Sequence, residues 1–182
     1  MMICADNIFQ EQLARSMGLD KYERLMNEAN RTDVSRNPDF QRTFNAFYLI
    51  RRNEEWRKVY YKLFEYAKIR HSSFAEVIRI LYEKTGNVEA SFSSKMIATI
   101  NPDKPIWDQY VLINLGLKLK GKNAEERLEH AIIIYEQIEQ WYKDYLLTEE
   151  ARKNIAVFDQ KLPSYKWLSE VKKIDCLLWS KR

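Results

Sequence analysis

An all-α fold is predicted for this chain, an orthogonal bundle of about nine or ten short helices. Three observations lead there. Gly and Pro number only four each among 182 residues, too few for the turns of an all-β chain. Aromatic residues make up 13% of the sequence, which favours packed helix faces. Apolar residues recur three and four apart, while alternation over four or more residues is rare, so no strand is assigned. A length of 182 residues matches a single domain, residues 1–182, large enough to bury a core.

The elements follow from caps and periodicity. Asp6 caps a first helix that closes at Gly18, with Ile8, Phe9, Leu13 and Met17 on one face. Asp20 is expected to cap a short second helix carrying Tyr22, Leu25 and Met26. Residues 30–37 are polar and irregular. Asn37-Pro38 reads as a cap followed by a first-turn proline, where the missing N–H costs nothing. The helix it opens carries Phe40, Phe44, Phe47, Tyr48 and Ile50 and is expected to reach about Arg52. Asn53 caps the next, to about Arg70. Glu54 and Glu55 lie at its positive end, Lys68 and Arg70 at its negative end. Ser72 or Ser73 opens a helix with Val77, Ile78, Leu81 and Tyr82 that stops at Gly86.

Residues 91–117, SFSSKMIATINPDKPIWDQYVLINLGL, are the stretch around which the rest is organised. They read as two short apolar helices joined by a loop containing Pro102 and Pro105. Ser93 is expected to cap the first and Asp108 the second. A basic loop, KLKGK at 118–122, follows. Asn123 then caps the longest helix, to about Leu147, with Glu126 placed for a capping box and Leu128, Ile132, Tyr135, Ile138 and Tyr142 on its apolar face. Thr148, Glu149 and Glu150 open a helix to about Gln160. Pro163 breaks the chain. Ser169 caps a last helix carrying Val171, Ile174, Leu177, Leu178 and Trp179.

The formal net charge is only +4 and is spread evenly along the chain, so no polyanion-binding tail is implied. Cys4 and Cys176 form no CxxC pair or Cys/His cluster. No metal site and no cofactor are therefore expected, and a reducing cytoplasm is favoured. The first residues lack a signal-peptide pattern, and no apolar run reaches the ~20 residues of a membrane span. His71 and His130 stand alone, without a ligand partner at helical spacing.

Lys95 and Asp108 are the candidate catalytic pair. In the first turn of a helix capped by Ser93, a lysine meets the positive end of the dipole. Burial there lowers its pKa and leaves a nucleophilic amine. Asp108 sits where free N–H groups stabilise a carboxylate. The bland alternative makes Asp108 a plain N-cap and Lys95 an exposed side chain or surface ion-pair partner.

This order of lysine at a helix start, apolar helix, proline loop, aspartate and apolar helix resembles the catalytic segment of helix-hairpin-helix DNA glycosylases. The likeness covers SFSSK and PIWDQYV, about 30 residues within 88–117. It implies a Schiff-base lysine at Lys95, an assisting aspartate at Asp108, DNA as partner, and either an active glycosylase/lyase or a degenerate, non-catalytic relative.

Residues 42–70 interleave basic residues with Trp56, Tyr60, Tyr61 and Tyr66. Arg51, Arg52 and Arg57 there, with Lys118, Lys120 and Lys122, are the candidate nucleic-acid contacts. The competing view puts those aromatics in the core and the charges on a solvated face. A further alternative for the whole protein is a non-catalytic helical interaction module, homodimeric through an aromatic surface; an exposed Trp167 or Trp179 is its mark.

Overall fold

The computed structural model describes residues 18–180 and consists, among them, of nine α-helices and one 3-10 turn, with no strand. The helices are α1 (Leu19–Ala29), α2 (Pro38–Tyr48), α3 (Glu54–Arg70), α4 (Phe74–Thr85), α5 (Ala90–Ile100), α6 (Gln109–Leu115), α7 (Ala124–Leu146), α8 (Glu149–Lys161) and α9 (Glu170–Ser180); the 3-10 turn is Pro163–Tyr165. The helix expected before Gly18, and Cys4, lie outside the described residues.

Most caps are those the sequence calls for. Asn37, Asn53, Ser73, Asp108, Asn123 and Thr148 each accept a backbone N–H of the helix they open. Ser73 and Glu76 close a full capping box. Asp20 is not a cap. α1 begins one residue earlier behind Gly18, whose φ of 68° suits a residue without Cβ. The Asp20 carboxylate instead accepts the Tyr165 hydroxyl. α2 also stops short of Arg52. Leu49 enters the left-handed region at φ 54°, and Ile50 N–H returns to Asn45 O at 2.9 Å. The turn buries Ile50 to 5% exposure but leaves Leu49 in a conformation costing about 1–2 kcal/mol for a residue with Cβ.

The core is aromatic. Phe40 and Phe44 of α2 meet Tyr60, Tyr61 and Phe64 of α3 in tilted and edge-on pairs, such as Phe44–Phe64 at 5.4 Å. Phe74 of α4 stacks on Tyr135 of α7. Around this core α5 packs against α1, α3 and α4, and α9 against α6, α7 and α8. α5, the first part of residues 91–117, is therefore the central element of the bundle.

Candidate active site

α5 starts at Ala90, not behind Ser93. Its N-cap is Glu89, which makes no side-chain cap and is buried at 7% exposure, its carboxylate 2.6 Å from Arg52. The early start puts Ala90, Ser93 and Ser94 on the buried face. Packing outweighs cap preference there, and Ser93 Oγ is left without a hydrogen-bond partner. Lys95 consequently lies in the second turn of α5. The expected dipole effect on it is corrected. Its Nζ donates to Tyr48 O at 3.4 Å, the free carbonyl end of α2, and lies over the Phe92 and Tyr48 rings at 5.1 and 5.7 Å. The Lys95 pKa is nevertheless below its ordinary value. Burial lowers it, and the Asp108 carboxylate opposes the shift.

Asp108 is delivered by a tightly held loop. Ser94 Oγ accepts Trp107 N–H at 2.8 Å, Tyr135 Oη donates to Pro105 O at 2.9 Å, and Ser169 Oγ donates to Pro102 O at 2.6 Å. Three elements thus fix the loop on both sides of its prolines. Asp108 Oδ1 accepts Tyr110 N–H at 2.8 Å as the cap of α6.

Lys95 and Asp108 face a common cavity of about 220 Å³. Leu19, Phe47, Ile106 and Val111 give it apolar walls, and Leu49, 67% exposed, stands at its rim. Its inner end is polar: Lys172, Asp175 and Cys176 of α9, with Tyr48. Lys172 and Asp175 form an ion pair at 2.8 Å with side chains 12% and 11% exposed. Tyr142 Oη reaches Asp175 Oδ1 at 3.4 Å, and the Lys172 ammonium lies 4.9 Å from the centre of the Tyr22 ring. Burial pushes the Lys172 ammonium down, but the Asp175 carboxylate, together with Cys176, Tyr22 and Tyr48, more than reverses this and holds it well above its ordinary value. Burial raises the Cys176 thiol to about 11, so it is no nucleophile at neutral pH.

Sequence reasoning missed this inner end. Lys172 and Asp175 lie i, i+3 on a helix whose other residues from Val171 to Leu178 are buried. Two lysines and an aspartate, Lys172, Lys173 and Asp175, within a helix otherwise apolar from Val171 to Leu178 were the available signal.

The expected nucleic-acid contacts separate into two groups. Trp56, Tyr60 and Tyr61 are buried in the core, so base stacking by them is corrected, while Tyr66 is 48% exposed and stays on the surface. Arg52 is committed to Glu89 and to the Trp56 and Phe92 rings at 5.7 and 5.6 Å. Arg57 is half-buried, while Arg51, Lys118, Lys120 and Lys122 are exposed. The lysine loop has a fixed backbone: Lys120 N–H donates to His130 Nδ1 and Lys122 N–H to Glu126 Oε2, each at 2.8 Å. Gly121, at φ 144°, lies against Arg127, whose Cγ would be 2.6 Å from an added Cβ. His130 thus acts as a loop acceptor, and His71 ends α3 in the left-handed region.

Compared with family models, curated proteins and solved structures, the chain matches none. Among the described residues no His, Cys, Asp and Glu group is placed to hold a metal, and no helix is long and apolar enough to cross a membrane. The site is therefore read from its own geometry.

Proposed function

We propose that the cavity is a Schiff-base site acting on an aldehyde, with Lys95 as nucleophile and Asp108 as its electrostatic partner. The substrate called for is the ring-opened sugar of an abasic site in DNA, as in a glycosylase/lyase. One observation carries this: a half-buried amine with a depressed pKa opens, beside a carboxylate, onto a cavity. The neutral amine adds its lone pair to the aldehyde carbon, and the carbonyl oxygen takes up a proton. Nζ gives up a proton to water, and the Asp108 carboxylate supplies the electrostatic stabilisation. The carbinolamine hydroxyl then takes up a further proton from solvent and leaves as water, giving a protonated C=N bond. Arg51 and the lysine loop at 118–122 supply exposed cations for phosphates.

Borohydride trapping on an oligonucleotide with one abasic site tests this. Hydride adds to the C=N carbon and leaves a stable amine link, so a cross-linked band is expected with the native chain and none with Lys95→Ala. No band, or equal bands, refutes the enzymatic assignment.

A non-catalytic, homodimeric interaction module is the second reading. It is favoured by the exposed Leu49, Ile113 and Trp167, at 67%, 71% and 46%. Light scattering across a hundredfold concentration range separates the two. A dimer supports the module, and a monomer throughout counts against it.

A further inference from the structure

α3 carries a feature that the cavity does not use. Its inner aromatics are engaged with one another: Trp56 stacks on Tyr60, Tyr60 meets Tyr61 edge-on, and Tyr61 stacks on Phe64. Tyr66 is different. It is 48% exposed, and its ring pairs with no other among the described residues. Ile69, one turn on, is 68% exposed. At 3.6 residues per turn, Lys62, Tyr66, Ile69 and Arg70 fall within about 100° of arc on one face of the helix. Lys62 and Arg70 are exposed and stand one turn before and one turn after Tyr66. The acids nearby are already held: Glu54 by Lys58 at 2.7 Å, Glu65 by Lys68 at 2.8 Å, and Glu76, which Arg70 faces, by the cap at Ser73. Glu55 lies two turns back from Lys62, in the first turn of the helix. Among the described residues Lys62 and Arg70 form no ion pair.

The chemistry of this face indicates what it takes. A flat aromatic ring has a cation on either side, each about 6 Å away along the helix. That pattern matches one unpaired nucleotide: the base lies on the ring, and its two flanking phosphates meet the ammonium and the guanidinium. In a duplex both faces of every base are covered by its neighbours, so a paired strand gives Tyr66 nothing to stack on. A protein partner is poorly served. Two apolar side chains fall far short of the roughly 800 Å² that each side of a stable protein interface buries, whereas one stacked base needs no more than they supply. α3 contributes no residue to the walls of the Lys95 cavity, so this is a separate surface.

We propose that Lys62, Tyr66, Ile69 and Arg70 form a binding surface for single-stranded nucleic acid. Tyr66 stacks an unpaired base, Ile69 packs against the same nucleotide, and Lys62 and Arg70 hold the phosphates on either side. The surface is independent of Schiff-base chemistry at Lys95: it takes an intact strand and needs no aldehyde.

Fluorescence anisotropy of the full chain with a labelled oligothymidine tests it, because that strand keeps every base and cannot pair with itself. Tyr66→Ala is expected to weaken binding by about five- to a hundredfold, the worth of one stacked base. Tyr66→Phe keeps the ring and is expected to bind like the native chain. Replacing Lys62 and Arg70 together by Gln is expected to flatten the dependence of log affinity on log salt by about 1.4, for two phosphate contacts on a single strand. Affinity for a duplex of the same length is expected to stay unchanged in Tyr66→Ala. No binding of the oligothymidine, equal affinity in Tyr66→Ala, or a Tyr66→Phe variant as weak as Tyr66→Ala overturns the proposal. Binding of polyglutamate that Tyr66→Ala weakens as much would assign the face to acidic protein segments and overturn it too. Lys95→Ala is expected to bind the strand as the native chain does, and a loss there would place the strand at the cavity instead. A failed borohydride trap leaves this surface standing.

Discussion

Replacing Lys172 by Met strands the Asp175 carboxylate at the inner end of the cavity. The pair is 2.8 Å long, and its side chains are 12% and 11% exposed, so water cannot stand in for the lost ammonium. Removing one partner of a buried pair costs about 3–5 kcal/mol. The Tyr142 hydroxyl, at 3.4 Å, is too distant to compensate. Loss of the contact with Tyr22 at 4.9 Å adds part of the ~0.5–2 kcal/mol of a cation–π pair. The loss is therefore expected in the upper half, about 4–5 kcal/mol. For a chain of this size about 2–4 °C accompanies each kcal/mol, giving a fall of roughly 8–20 °C. Thermal and urea unfolding read it. Lys172→Met combined with Asp175→Leu removes both charges and is expected to recover most of the loss. A single variant within about 1 kcal/mol of native, or a double variant as unstable as the single, would refute the claim that this is a desolvated pair.

Four further outcomes are expected. Lys95 is depressed in the folded state, so the unfolded chain binds more protons below 10.5 and native stability rises with pH in that window; Lys95→Met should melt higher than native near neutral pH, with the gap closing as pH approaches 10.5. Lys172 has the opposite sign. Its raised pKa gives stability that is complete below its ordinary 10.5 and is lost as pH rises through its native value, which an alkaline unfolding series checks. Ser94→Ala leaves the Trp107 N–H unpaired, costs about 1–3 kcal/mol in urea unfolding, and should slow trapping because the loop bearing Asp108 loosens. Changing Lys118, Lys120 and Lys122 to Glu should weaken duplex binding and flatten its dependence on log salt by up to about three; an unchanged slope places DNA elsewhere.

Much of the fold was legible because caps are local. Asn37, Asn53, Ser73, Asn123 and Thr148 each act through a backbone N–H two or three residues on, and their signals need no tertiary information. Ser93 failed for the complementary reason. Its neighbours Ala90 and Ser94 are wanted on the buried face, and that demand comes from α1, α3 and α4, which the local sequence does not display. Leu49 is similar: nothing in its residue type announces a left-handed turn, and the turn exists to bury Ile50. The site was half legible. Lys95 and Asp108 share a cavity, but the amine is tuned by burial rather than by a helix dipole. Lys172, Asp175 and Tyr48 join it through α9 and α2, distant in sequence, so only the folded chain brings them together.

The most direct measurement is the position of the reduced adduct after borohydride treatment with abasic-site DNA, mapped by peptide mass spectrometry over every lysine. The cavity geometry predicts the adduct on Lys95. An adduct spread over the solvated ammonium groups of Lys118, Lys120 and Lys122, or none at all, would contradict it.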